Sequence, residues 1–329
     1  MPPQKALITG ATGLLGRQVV KGFERAGWET YGTGFSRAKP PSIIKVNLLN
    51  EKEVEEALET INTAWLDEIE MLIITPSPTG AANRMPDKCD SDPDGARALN
   101  VKTSAHLAHV LSSRGIFLIY ISTDYVFPGR PGEAPYVASS SPEPTNLYGQ
   151  TKLDGEVAAL EATKDTGLGV VLRVPVLYGE ADKGADSAVN VLVDTVWKAA
   201  QVGEKGEAKI KMDDWAIRYP TNTEDVGRVC ADVAAKYLES PDRKALPKVL
   251  QFSSEDKYTK YEMCQVFAEI LGLPIDGMEA NKEGNDLNAA VQRPYDCHLS
   301  TQELKDLGID VSTMDFKGWW KRELRAFRK

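Results

Sequence analysis

The chain has 329 residues, 42% hydrophobic and 26% charged, and its 39 basic and 48 acidic side chains leave a net charge of −9. This is ordinary composition for one large or two smaller globular domains, and it excludes a disordered, collagen-like or coiled-coil chain. The negative balance argues against general binding to nucleic acid or an anionic membrane. Three histidines (His106, His109, His298) argue against a zinc centre and leave almost nothing for Ser-His-Asp chemistry.

In chain order, KALIT (5–9) is a short apolar strand, and LLGRQVVKGFERAG (14–27) has helical spacing at Leu15, Val19, Val20 and Phe23 and stops at Gly27. ETYGT (29–33) and IIKV (43–46) are the next strands, 51–64 is a helix and MLIIT (71–75) the fourth strand. A long helix is expected over 92–113. IFLIYIS (116–122) is a strand with no polar alternation, as burial on both faces requires. Residues 146–162 are helical and LGVVLRV (168–174) is the sixth strand. No apolar run approaches the ~20 residues of a membrane helix, and no charged, apolar and cleavable leader opens the chain. Cys89, Cys230, Cys264 and Cys297 contain no CxxC pair and read as free thiols of a reducing compartment. The expected location is therefore the cytoplasm.

Six strands interleaved with helices predict an α/β fold, a Rossmann-type doubly wound parallel sheet. The remainder, with short strands at 208–212 and 248–253, predicts a smaller α+β C-terminal lobe. The expected division is a dinucleotide domain over 1–178 joined by part of 219–252, a substrate-type lobe over 179–315 and a tail over 316–329. Ligands are then expected in the cleft between domain and lobe.

Gly10, Gly13 and Gly16 stand as GxxGxxG between the first strand and first helix. Glycines there permit a tight turn and close approach of backbone N–H groups to a pyrophosphate, and the helix N-terminus adds partial positive charge. After the second strand an NAD site usually carries an acid for the ribose 2′-hydroxyl. Here no acid follows Glu29 until Glu51, and Arg37 and Lys39 stand instead, which suits the 2′-phosphate of NADP(H). Tyr148 and Lys152 form a YxxxK at the start of a helix, so both side chains share one face. A neighbouring ammonium and a nicotinamide ring would lower the tyrosine toward neutrality, as a proton donor needs. Thr123, at the end of the fifth strand, would hold a substrate carbonyl.

TGATGLLG (9–16), STDYVF (122–127), YGQTK (148–152) and LRVPVLYG (172–179), in this order and spacing, resemble the extended short-chain dehydrogenases/reductases. STDYVF with NLYGQTKLDGE (146–156) narrows the resemblance to the dTDP-4-dehydrorhamnose reductase-like branch. GFSRAKP (34–40), VNLLN (46–50), LRVPVLYGE (172–180), RYPTNTEDVG (218–227) and TKYEM (259–263) resemble the regulatory β subunits of methionine adenosyltransferases within that branch. The resemblance spans nearly the whole chain. It implies that Thr12, Gly13, Leu14 and Leu15 meet the pyrophosphate, that Phe35, Ser36 and Arg37 surround the 2′-phosphate, and that Asn47 and Leu48 flank the adenine. It implies that Arg84 and Leu177 line the rest of the cofactor cleft, that Tyr148 and Lys152 lie on the nicotinamide side, and that Asn100 orders the catalytic helix. Arg218–Thr221 and Arg293-Pro294 match positions that help hold a nucleotide-sugar. TPSPTG (75–80) is inserted before the small pair Ala81-Ala82, and its prolines lengthen the loop beside the cleft.

Residues 316–329 (FKGWWKRELRAFRK) hold six basic residues and one acidic, a net of +5 that leaves −14 on the remainder. Phe316, Trp320, Leu324 and Phe327 recur at helical spacing. Such a stripe either docks on its own body or anchors a partner, and the resemblance implies a partner, the methionine adenosyltransferase catalytic subunit. Two functions stay open at this level. One is an NADP-binding regulatory subunit supporting S-adenosylmethionine synthesis; the other is an NADPH-dependent reductase of a 4-keto nucleotide-sugar with Tyr148 as proton donor.

Overall fold

The computed structural model describes residues 3–64, 69–74, 86–285 and 291–326, with only the backbone of 61–64 and 69–74. The first strands, β1 (Lys5–Ile8), β2 (Glu29–Gly34), β3 (Ile43–Lys45) and β4 (Ile69–Ile74), are separated by α1 (Leu14–Arg25) and α2 (Glu51–Ala64). Two short helices follow, α3 (Pro86–Ser91) and α4 (Pro93–Arg97). The expected long helix over 92–113 is instead broken by a π turn at Ala98–Thr103 before α5 (Ser104–Ser113). Then come β5 (Phe117–Thr123), α6 (Leu147–Thr163), β6 (Gly169–Val174) and β7 (Leu177–Tyr178).

The lobe begins with α7 (Val191–Lys205) and β8 (Ile210–Asp213). The chain then returns to the first domain through β9 (Thr221–Asn222), α8 (Thr223–Glu239) and β10 (Val249–Gln251). It finishes in the lobe with α9 (Lys260–Leu271), β11 (Met278–Asn281), α10 (Gln302–Asp306) and α11 (Phe316–Glu323). The main sheet has seven strands in the order β10-β6-β5-β4-β1-β2-β3, with every pairing parallel. The strand expected at 248–253 lies in the main sheet, paired with β6, within the 219–252 stretch expected to rejoin the first domain.

In β5, Phe117, Ile119 and Ile121 pack toward α1 and α8, while Leu118 and Tyr120 pack toward α2, α5 and α6. Both faces are covered, which is why the strand is apolar throughout. α1 and α8 approach so closely that a side chain at Gly22 would strike the Gly227 backbone. The sheet order reverses between β1 and β4, and the carboxyl ends of these strands open onto the cleft where α/β sheets bind ligands.

β8 and β11 pair in parallel in the lobe, and α7, α9 and α11 enclose its own apolar cluster. The 316–329 segment is not a separate tail through its first turns. Phe316 is fully buried, Trp319 and Trp320 nearly so, and Phe316 packs on Tyr178, Tyr258 and Phe267 with ring centroids 5.0–5.8 Å apart. Leu324 is half-buried against the same cluster, Lys321, Arg322, Glu323 and Arg325 are exposed, and Phe327 lies outside the described residues.

Candidate functional site

β1 turns into α1 through Gly10, whose φ of +61° is the left-handed conformation glycine tolerates. Gly13 N donates to Gly10 O (2.8 Å) and Ala11 N to Thr33 O (2.9 Å), tying the turn to β2. A Cβ at Gly16 would collide with the Gly10 carbonyl, so α1 can start this close to the strand only with glycine there. Gly13 caps α1 without a side-chain oxygen, and the first turn carries no acid. The first amides and the positive end of the helix dipole are thus offered to the cleft, a cradle that fits a phosphate. Leu14 and Leu15 are buried beneath it, so only their backbone can serve a pyrophosphate, while half-buried Thr12 borders Gly34.

Phe35, Ser36 and Arg37 leave the end of β2. Lys45 Nζ lies 5.6 Å from the half-buried Phe35 ring, and Ser36 and Lys39 are exposed. Arg37 Nη1 donates to Asp182 (2.8 Å) and lies 3.6 Å from Asp186. Arg17, on the first turn of α1, donates to the other oxygen of Asp182 at 2.6 Å. Asn47 accepts a hydrogen bond from Leu49 N (3.1 Å), and the carbonyl of buried Leu48 accepts one from Thr103 (3.2 Å). Leu177 is half-buried on β7, and its carbonyl accepts from Ser187 (2.7 Å). Arg84 and the 75–80 insertion lie outside the described residues.

At the end expected to face the nicotinamide, Asn146 caps α6 by accepting from Gly149 N (3.0 Å) and places Tyr148 in the first turn. Thr123 beside it draws the Tyr148 hydroxyl down, yet burial pushes it well above its ordinary value. Thr123 Oγ1 donates to Asp124 (3.0 Å) and accepts from Tyr125 N (3.3 Å). Lys152 departs from expectation. Its Nζ donates to the Tyr120 hydroxyl and to the Ile121 carbonyl, both at 2.8 Å, and sits 4.1 Å from the Tyr120 ring centre. Burial, opposed by the Glu156 carboxylate, lowers its pKa to about 7. The ammonium expected to tune Tyr148 is therefore drawn inward to β5, because a buried cation takes the acceptors within reach. Asn100, in the π turn, donates to Thr151 on α6 (3.0 Å), and Tyr120 donates to the Asn100 carbonyl (3.4 Å).

Glu156, one turn beyond Lys152, receives Arg173 Nε and Nη2 at 2.7–3.2 Å, with both side chains almost fully buried. This pair fixes α6 to β6. Across the cleft Arg218 is buried and donates to the Ile217 and Pro294 carbonyls (2.7 and 3.1 Å), while its Nη2 has no partner among the described residues. Its charge opposes the burial that raises Asp124 to about 6. Arg293 is held by both oxygens of Asp87 on α3 (2.7 and 2.8 Å). Sequence reading missed Tyr120, Asp124, Arg17 and Asp182. For Tyr120 there was a signal, a phenol hydroxyl in the middle of a buried strand; for Asp182 there was none.

The chain matches the RmlD substrate binding domain family over residues 4–326. It is 40% identical over 314 residues to the methionine adenosyltransferase 2 subunit beta of Mus musculus, covering 95% of this chain and 85% of that protein. To the subunit of the same name from Danio rerio it is 36% identical over 327 residues, covering 99% and 92%. Among solved structures, a dTDP-4-dehydrorhamnose reductase of Bacillus anthracis in complex with NADP superposes with a TM-score of 0.74 over 99% of each chain at 19% identity. A UDP-glucose 4-epimerase of Thermus thermophilus in complex with NAD gives 0.70 over 97% of each at 19% identity. Those last two likenesses speak for the fold. The chain belongs to the RmlD substrate binding domain family and, within it, to the group that holds the methionine adenosyltransferase 2 beta subunits.

Proposed function

We propose that this protein is an NADP(H)-binding regulatory subunit that assembles with a methionine adenosyltransferase catalytic subunit in the cytoplasm and supports S-adenosylmethionine synthesis. The observation that carries this reading is the 36–40% identity to beta subunits along nearly the whole chain. Among the described residues no helix is long and apolar enough to cross a membrane. The glycine cradle, Arg17 and Arg37 would hold the dinucleotide; Asn47, Leu48, Arg84 and Leu177 would line its remaining length. Since Phe316 and Trp320 are buried in their own lobe, the partner contact falls to the exposed basic end, Lys321, Arg322 and Arg325, and the residues after it. Co-purification of the native complex tests the assembly. Reversing charge at Lys321, Arg322 and Arg325 should weaken capture of the catalytic subunit without unfolding the lobe. An undiminished complex would remove the tail from the mechanism, and no complex from native cells would remove the partner.

One observation favours a second reading, NADPH-dependent reduction of a 4-keto nucleotide-sugar: Thr123 stands beside the Tyr148 hydroxyl and draws its pKa down against burial. Bound NADPH would supply hydride. Tyr148 would hand its proton to the carbonyl oxygen, Thr123 would steady that oxygen, and Lys152 would first have to exchange Tyr120 for new partners. NADPH consumption with dTDP- or UDP-linked 4-keto-sugars, lost in Tyr148→Phe, would establish it; silence across that panel would dismiss it.

A further inference from the structure

Residues 180–186 run as a strap beside the glycine cradle, joined to α1 and to Arg37. Its base is tied down, since Ser187 Oγ donates to the Leu177 carbonyl (2.7 Å) and Asn190 Nδ2 to the Gly179 carbonyl (2.8 Å). Its near end is pinned to α1, where Glu180 receives Lys21 Nζ at 2.7 Å and Gln18 Nε2 at 3.2 Å. Beyond that pin, Asp182 puts one carboxylate oxygen on Arg17 (2.6 Å) and the other on Arg37 (2.8 Å). Asp186 adds a second carboxylate 3.6 Å from Arg37. Arg17 also reaches Gly13, the cap of α1, through Nε (3.3 Å). Two guanidinium groups beside the cradle thus converge on a single anion, each taking one oxygen. A phosphate offers the same two-oxygen geometry and more charge. The arginines hold the Asp182 carboxyl below its usual range, so it is ionised at neutral pH.

We propose that Asp182, backed by Asp186, is an internal stand-in for the 2′-phosphate of NADP(H), and that the 2′-phosphate seats only as it displaces this carboxylate from Arg17 and Arg37. This rests on the NADP(H) reading above and deepens it. Arg17 becomes the second cation of the 2′-phosphate site, and Asp182 becomes the residue that sets preference between phosphorylated and unphosphorylated dinucleotide. A ligand without the 2′-phosphate leaves the ion pairs untouched, whereas one that carries it must compete for them. The strap therefore lowers affinity for the phosphorylated form by the fraction of time it is closed. The pairs are partly exposed, with side-chain exposures of 24% for Arg17, 38% for Arg37 and 51% for Asp182. Exchange is therefore cheap enough to be reversible.

Calorimetry with adenosine 2′,5′-bisphosphate and with 5′-AMP on the full chain tests this. In Asp182→Asn the bisphosphate should bind about three- to tenfold tighter, the worth of two partly exposed ion pairs, and 5′-AMP should bind as before. Arg17→Met should weaken the bisphosphate and spare 5′-AMP. If Asp182→Asn leaves the bisphosphate unchanged or weaker while the wild type still prefers it over 5′-AMP, the strap is overturned and the NADP(H) reading survives. If the wild type makes no distinction between the two probes and Arg37→Met changes neither, the reading and the strap fall together.

Discussion

The two ends of the cleft handle charge in opposite ways. At the dinucleotide end, Arg17, Arg37 and Asp182 form pairs that water still reaches. At the nicotinamide end, Glu156–Arg173 and Lys152 are nearly sealed from solvent. An exposed pair contributes little to stability and can be exchanged for a ligand, while a buried one is costly to break because it strands an unpaired charge. One end is thus suited to reversible anion binding. The other holds a fixed frame, in which Lys152 is already engaged by Tyr120.

Substitutions at matched positions sharpen or break this contrast. Arg173→Met should show the largest effect, a loss of about 3–5 kcal/mol in denaturant unfolding, because Glu156 is left charged and buried. A loss near that of a surface pair would mean the frame is not sealed. Lys152→Met reads the same end through pH. Between the folded pKa of about 7 and the unfolded 10.5, the unfolded chain holds a proton that the folded chain has released. Wild-type stability should therefore rise with pH across that window, by at most about 1.4 kcal/mol per pH unit from this group. The variant should lack that rise, and identical slopes would place the lysine in contact with water.

At the dinucleotide end, Gly16→Ala should weaken NADPH binding at least about tenfold, since the added methyl forces the cradle apart by a clash worth more than ~1.4 kcal/mol. Unchanged affinity would deny the cradle its role. Smallest of all, Arg17→Met should cost less than about 1 kcal/mol of stability. A loss matching that of Arg173→Met would erase the difference between the two ends.

Much of this architecture was readable along the chain. The six strands, the glycine turn, the YxxxK helix and Thr123 all announce themselves through local spacing, because each depends on neighbours a few residues away. What escaped was long-range. Arg37 and Asp182 are 145 residues apart, and nothing near either marks the other. Lys152 and Tyr120 are separated by 32 residues, and the spacing that puts Lys152 on the Tyr148 face says nothing of which acceptor wins once the ammonium is buried. The aromatic stripe from Phe316 was found, but the same period serves an internal core and a partner surface. Only the cluster around Tyr178 and Phe267 shows that the protein's own lobe takes it. The seventh strand reads as a strand, but its place beside β6 is not legible locally, since β10 has three residues and no periodicity to declare its neighbours.

That seventh strand has a consequence for biosynthesis. The nucleotide domain opens at residue 5 but is completed only by α8 and β10, after the chain has detoured through part of the lobe. Val226, Val229, Val233 and Tyr237 cover the part of one sheet face that α1 leaves open. A ribosome adding about 5–20 residues per second leaves that face exposed for several seconds after β6 has emerged. The nascent chain is then most in need of a chaperone during the stretch from residue 175 to 251, and premature termination within it would yield a sticky fragment rather than a working half.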